Sequence, residues 1–306
     1  MKIVFTTDPH LNFVQYTSDI EKYKNEIIKE KPDLILVGGD MSDGSTLAKE
    51  LKFFEKSNLG CQSYFVCGNH DYYHNNIQDV RSYLYSSYGT PHKEHNKNTK
   101  QNNPIWLGSR NFISLDETTA LVGHDGWYDA IEGDPNNTTV ILADFLYVEN
   151  FSTSFKTNRA ELPDKFRALA ADSAKCVSRG IEQSYNEGHK TIFVLTHVPP
   201  FRENSKYNNQ ISNKDFLPFF CSRLMGDALV VAANKIPDAN ITVLCGHTHH
   251  DAYTNPVPNL KVITGHSEYR FPCVSGLLSN ENKTKKWTYK QINTSSNQPK
   301  STIPLE

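Results

Sequence analysis

Seven side chains of the kinds that bind divalent metals stand in five short groups along this chain, each group at the end of an apolar run. Asp8 and His10 follow Ile3-Val4-Phe5-Thr6-Thr7. Asp40 follows Leu34-Ile35-Leu36-Val37 and a Gly-Gly pair. Asn69 follows Tyr64-Phe65-Val66-Cys67-Gly68, with His70 and Asp71 directly after it. His197 ends Ile192-Phe193-Val194-Leu195-Thr196, and His247 and His249 end Ile241-Thr242-Val243-Leu244-Cys245-Gly246. The donors are oxygen and imidazole nitrogen, with no thiolate. Such a set suits Mn, Fe, Zn or Co and argues against a structural cysteine-type zinc site. One ion takes three or four ligands, so seven candidates imply two ions that share a carboxylate. Two ions about 3.5–4 Å apart clamp substrate oxygens and turn a bound water into hydroxide near neutral pH, the chemistry of phosphoryl and related hydrolyses. Asp8 and His10 are two residues apart, as are His247 and His249, and in extended chain each pair would point to one side. Singly, each group has a plain explanation as a turn, a surface polar residue or a core histidine. Jointly they do not, because five buried strands would each have to end in costly polar groups by coincidence.

The runs themselves are continuous and rich in β-branched residues, which marks strands buried on both faces. Helical patterns separate them. Ser18–Glu30 opens on a capping box of Ser18 and Glu21, Ser45–Ser57 puts Leu47, Leu51 and Phe54 on one face, and Pro163–Gly188 and Ser222–Lys235 complete the set. Strands alternating with helices predict a layered α/β fold with its functional residues at the carboxyl ends of the strands. Shorter strands are expected at 112–115 and 119–122. Segments 261–264, 274–277 and 286–289 look like a second, antiparallel group, with a turn at Asn280–Lys283. Residues 91–104 read as a polar loop, 132–162 as an irregular excursion and 295–306 as a loose tail. With no repeat and no linker, residues 1–290 are expected to form a single domain.

Composition narrows the classes. The chain has 306 residues, 38% hydrophobic and 22% charged, which excludes wholesale disorder and collagen-like structure. The formal charge of -2 leaves no basic excess to draw the molecule to nucleic acid or an anionic membrane. No run of roughly 18 apolar residues occurs, and the first residues lack a signal-peptide pattern, so no membrane segment is expected. The six cysteines form no C-x-x-C pair, which favours a reducing, cytoplasmic setting.

In this order, Asp8-Pro9-His10, Gly39-Asp40-Met41-Ser42-Asp43, Gly68-Asn69-His70-Asp71, His197 and Gly246-His247-Thr248-His249 resemble the signature of the calcineurin-like metallophosphoesterase superfamily. Its blocks are D-x-H, G-D-x-x-D, G-N-H-D/E, a lone H and G-H-x-H, and all five are present over roughly residues 1 to 265. The resemblance implies an α/β fold of two packed β-sheets flanked by helices, a four-layer αββα sandwich. It implies one divalent ion on Asp8, His10, Asp40 and His249 and another on Asp40, Asn69, His197 and His247, with Asp40 bridging. It makes His70 a non-ligand that acts as general acid or charge stabiliser, oriented by Asp71, with Asp43 in support. The implied activity is hydrolysis of phosphate mono- or diesters by a metal-bound hydroxide. Protein Ser/Thr phosphatases of the superfamily carry arginines where this chain has Gly44 and the Tyr72-Tyr73 pair. The sequence looks more like small bacterial or phage phosphoesterases, class III cyclic nucleotide phosphodiesterases among them. A small phosphorylated substrate such as a nucleotide is the expected partner. A nuclease is the less favoured alternative, and a metal-binding scaffold without catalysis is the rival from another class. Outside the blocks, Trp127 and Arg202 read as packing and surface residues, Tyr72, Tyr73 and His74 as pocket walls, and His92 and His95 as solvated loop residues.

Overall fold

Branched and aromatic side chains packed into runs of four to six residues have two faces to bury. In a computed structural model of the chain each long run is a strand covered on both sides. The structure describes residues 1–89, 102–280, 286–293 and 301–306. In chain order the strands are β1 (Lys2–Thr6), β2 (Leu34–Val37), β3 (Gln62–Phe65), β4 (Ile105–Trp106), β5 (Ile113–Ser114), β6 (Thr119–Gly123), β7 (Thr191–Leu195), β8 (Lys206–Tyr207), β9 (Gln210–Ile211), β10 (Asn240–Cys245), β11 (Ala252–Val257), β12 (Leu260–Thr264), β13 (Gly276–Ser279), β14 (Thr288–Gln291) and β15 (Thr302–Pro304).

One sheet runs β15-β14-β13-β1-β2-β3-β4 and the other β11-β12-β10-β7-β6-β5, while β8 and β9 make a separate hairpin. Strands β1 to β4 are parallel, as are β6, β7, β10 and β12. The two-residue period of each strand divides its side chains between layers. Ile3, Phe5, Leu34 and Leu36 of one sheet share a cluster with Phe193, Leu195 and Leu244 of the other, filling the space between sheets. Val4, Ile35 and Val37 face instead the layer built from helix Thr17–Lys29 and its neighbours. Ile192, Val194, Ile241 and Val243 face helices Leu162–Asn186 and Arg223–Lys235. The layers are therefore helix, sheet, sheet, helix, as the resemblance implied.

Several expectations are corrected. The helix near Ser18 begins at Thr17 with Tyr16 at its N-cap and no side-chain cap, so Ser18 and Glu21 do not form the capping box. The stretch Ser45–Ser57 is broken into three short helical pieces rather than one helix. The supposed second antiparallel group divides: β12 joins β10 in parallel, whereas β13 and β14 extend the first sheet beside β1. The excursion over 132–162 contains helices Asp144–Tyr147 and Glu149–Thr157. The loose tail is corrected over its described part, because β15 pairs with β14 and Leu305 is buried beneath it. His92, His95 and most of the Asn280–Lys283 turn lie outside the described residues.

Candidate metal centre

The carboxyl ends of β1, β2 and β3 meet those of β7 and β10 along one edge of the sandwich. Five of the candidate residues there occupy the left-handed region: Asp8 (φ 49°), His10 (42°), Asp40 (52°), His247 (69°) and His249 (59°). The expected extended geometry of the Asp8/His10 and His247/His249 pairs is thus corrected: left-handed backbone brings Asp8 and His10 to one group and parts His247 from His249. Such backbone costs on the order of 1–3 kcal/mol per residue and persists where the surroundings over-determine it. They do so here. Asp8 and His10 donate their N–H groups to the carbonyls of Gly39 and Asp40, each at 3.0 Å. The carboxylate of Asp8 accepts the His247 N–H at 3.0 Å on both oxygens. A Cβ on Gly246 would stand 2.1 Å from Asp8 Oδ2, and one on Gly68 2.1 Å from Asp40 Oδ1, so only glycine admits these carboxylates.

Two ligand groups result. In the first, His10 Nε2 lies 3.2 Å from His249 Nε2, and His249 Nε2 lies 3.4 Å from Asp8 Oδ1. In the second, His197 Nε2 and His247 Nδ1 are 3.2 Å apart, and each is 3.0 Å from Asn69 Oδ1. Asp40 Oδ2 stands between the groups, 3.7 Å from His10 Nε2 and 3.5 Å from His197 Nε2.

The second group tests the fit to a cation. His197 Nδ1–H donates to the Gly38 carbonyl at 2.8 Å and His247 Nε2–H to the Phe219 carbonyl at 2.9 Å. A carbonyl only accepts, so these bonds fix the tautomers and leave the other nitrogens as lone pairs. The Asn69 amide is fixed too, since its Nδ2 donates to Asp144 Oδ1 at 2.8 Å. Three acceptors therefore face one another at 3.0 to 3.2 Å. A divalent cation among them removes that conflict, and between neutral rings a hydrogen bond cannot.

The family profile described as calcineurin-like phosphoesterase matches residues 1–251. The chain belongs to this family. A curated relative, an uncharacterized metallophosphoesterase of Helicobacter pylori, is 29% identical over 86 residues, which cover 28% of this chain and 23% of that protein. Among solved structures, a dimetal phosphatase from Danio rerio superposes with a TM-score of 0.59 at 11% identity, covering 100% of this chain and 99% of its own. GAP50, described as the anchor in the inner membrane complex of Plasmodium, gives 0.51 at 12% identity over 100% and 89% of the two chains. At such identities these structures establish the fold.

This calcineurin-like phosphoesterase departs from the sequence expectation around His70. Asp71 does not orient it: the Asp71 carboxylate accepts the backbone N–H of Ser42 at 3.0 Å and of Gly68 at 2.8 Å, tying two site loops together. Burial pushes its carboxyl up to about 7 against those two bonds, the charge of His70 nearby and the Asp40 backbone. The carboxylate near the His70 ring is Asp43, whose Oδ1 lies 3.6 Å from Nδ1. Both atoms are buried without hydrogen-bond partners. The backbone N–H of His70 donates to Asp40 Oδ1 at 2.9 Å, and its Nε2 lies 4.0 Å from Asp40 Oδ2.

Sequence reasoning missed Asp144, which comes from the supposedly irregular excursion. It is buried and also accepts the hydroxyls of Tyr73 at 2.5 Å and Tyr128 at 2.8 Å. No motif spacing marks it, since its helix is brought to the centre by tertiary packing. Outer partners of this kind govern metal affinity by roughly 10–100-fold. Asp144→Ala is accordingly expected to weaken binding at the Asn69 side by that factor, measured by equilibrium dialysis with Mn or Zn. Unchanged affinity would show that the amide needs no anchor. Tyr269 was also missed; its ring stacks on His10 at 4.5 Å and lies 4.6 Å from His249. Trp127 is core, packed on Tyr72 and Phe151, and Arg202 is a surface residue paired with Glu132, both as expected. Tyr73 lines the cleft, whereas Tyr72 is fully buried and bonded to Asp125 and His74 packs on Tyr147.

Electrostatics favour the metal-ready forms of His247, His10 and Asp8. Burial, then the neighbouring His197, pushes His247 down to about 3. Burial, then His70 and His249, holds His10 well below the usual imidazole value. Burial works to raise Asp8, but His197, His249 and His10 outweigh it and hold the carboxyl low. Asp40 is raised by its burial and by Asp8 and Asp71 beside it. For His247 the sign is clear: the fold binds its proton more weakly than the unfolded chain does. Its contribution to stability is complete above about 6.5 and is lost as pH falls towards about 3. His247→Asn should flatten the acid limb of the stability–pH curve of the metal-free protein in that window. Urea denaturation of both proteins in chelator checks this, and identical slopes would refute it.

Proposed function

We propose that the chain hydrolyses phosphate esters of small molecules at a centre of two divalent metal ions. The observation that carries this is the convergence of fixed imidazole lone pairs and the Asn69 oxygen on one point, with Asp40 between that point and the Asp8/His10/His249 group. In this reading Asp8, His10, Asp40 and His249 hold one ion, and Asp40, Asn69, His197 and His247 the other. Bound there, the ions supply Lewis acidity and an activated water. The chain's own residues do the rest. His70, off the metals, delivers a proton to the leaving oxygen, and Asp43 positions the ring for it. Asp71 and Asp144 keep the loops and the Asn69 amide in place.

The centre opens on a cleft of about 1140 Å³, which suits a nucleotide-sized substrate. Tyr269 and Phe216 line it as partly exposed rings, fit to stack on a base. Lys206 is the one lysine or arginine among the described residues lining it, and it is placed to meet a second anionic group. Small diesters or nucleotides are therefore preferred here to phosphoproteins, and the formal charge of -2 disfavours nucleic acid. Mn, Fe, Zn and Co are the candidate metals, because the donors are oxygen and imidazole. No helix among the described residues is long and apolar enough to cross a membrane. All six cysteines are free, which supports the cytoplasm as the site of action.

The test is a panel of model mono- and diesters assayed with Mn, Fe, Zn, Co, Ni and Mg. Hydrolysis of at least one class, dependent on added metal, is the expected result. Two metals bound with no hydrolysis of any ester would favour a scaffold, a use of this fold consistent with the description of GAP50 as an anchor.

A further inference from the structure

A second group of metal-type donors lies outside the centre and includes the thiol that the centre lacks. A ligand nitrogen of His124, a carboxylate oxygen of Asp172 and Sγ of Cys176 all lie within 4.8 Å of one another. Two elements fix them. His124 directly follows β6, its N–H bonded to the Leu195 carbonyl at 3.1 Å. Asp172 and Cys176 are one turn apart on helix Leu162–Asn186, so they share a face. His124 is only 6% exposed, and its Nδ1 is buried with no hydrogen-bond partner. A ring nitrogen shut away from water without a partner calls for a ligand.

We propose that His124, Asp172 and Cys176 form a mononuclear site for a borderline-soft divalent ion of the zinc type, a water completing the tetrahedron. One thiolate, one imidazole and one carboxylate are a zinc donor set, unlike the oxygen and imidazole donors of the main centre. The ion has a way in, since Asp172 is 54% exposed on its side chain and Cys176 is half-buried. Arg81 does not block it. Its guanidinium is anchored 3.1 Å from the buried Asp125 carboxylate and pairs with Oδ2 of Asp172 at 3.5 Å, so the ion would share the Asp172 carboxylate with it. Burial lowers the proton affinity of His124 and keeps its lone pair available. Burial, with Asp172 nearby, raises the Cys176 thiol, so binding the ion releases one proton from sulfur. The bound ion would pin the long helix to the end of β6, on a strand of the sheet that carries His197.

Cobalt distinguishes this site from the main centre, because only a cysteine ligand gives a thiolate-to-cobalt charge-transfer band. The metal-free full-length chain is titrated with Co2+ and its near-ultraviolet absorption recorded. The expected result is one equivalent of cobalt per chain developing that band, which Zn2+ then bleaches. Cys176→Ser should abolish the band, and Asp40→Asn, which weakens the main centre, should leave it. His124→Ala should also abolish it. Because a buried substitution can unfold a chain, the part-exposed Cys176→Ser carries the decision. Absence of the band in the wild type overturns the proposal, as does an unchanged band in Cys176→Ser, since another cysteine would then be the ligand.

Discussion

Asp40→Asn is expected to lose metal and activity together, with turnover falling roughly 10³-fold or more, beyond the 10–100-fold typical of an outer-shell partner. The reason is placement. Asp40 Oδ2 is 3.7 Å from an imidazole of one ligand group and 3.5 Å from an imidazole of the other. A carboxylate there neutralises both cations at once, and an amide neutralises neither. The amide oxygen can still accept the His70 N–H that Asp40 Oδ1 accepts at 2.9 Å, so the loss falls on the metals and not on this loop. Metal analysis after dialysis, run beside an ester assay at saturating Mn, checks both halves. A variant that keeps two tightly held metals per chain and full turnover would remove Asp40 from the bridging position.

The second large effect belongs to His70. His70→Asn should leave metal content nearly intact and cut turnover of alkyl esters by roughly 10²–10⁴-fold, the range of a general acid. Nitrophenyl esters should suffer less, because nitrophenolate departs without a proton. The geometry adds a control. Asp43 lies 3.6 Å from the His70 ring, whereas Asp71 is spent on two backbone N–H groups. Asp43→Asn should therefore reproduce the alkyl-over-nitrophenyl pattern in weaker form, at about 10–100-fold. Asp71→Asn should lower stability and both ester activities alike, because its larger effect is to loosen the loops its carboxylate ties together. The alternative is close at hand, since His70, His10 and Asp40 also have ligand atoms within 4.8 Å of one another. Loss of a metal in His70→Asn, or equal losses on both ester types, would make His70 a ligand rather than an acid.

Much of this was legible in one dimension because parallel strands buried on both faces leave a plain trace. Their runs are uninterrupted, they end sharply, and whatever polar residue follows lies at the carboxyl edge. Asp8, His10, Asp40, Asn69, His197, His247 and His249 follow from that rule, and the structure brings all of them to one edge. What the runs cannot carry is the face of each side chain. Nothing in Leu34-Ile35-Leu36-Val37 tells that Leu34 and Leu36 meet the other sheet while Ile35 and Val37 meet helices. Sheet membership was equally hidden, so β12 and β13 looked like neighbours and belong to different sheets. The centre divides in the same way. Residue type and order picked out the candidate ligands, since imidazole and carboxylate chemistry is local. Only the tertiary structure decided their supports. Asp144 reaches Asn69 from 75 positions away, and the Phe219 carbonyl that sets the tautomer of His247 comes from 28 positions away. Asp43 rather than Asp71 faces His70, because the backbone N–H groups of Ser42 and Gly68 had already claimed the Asp71 carboxylate. Contacts of this kind are made by packing, and packing leaves no spacing in the sequence.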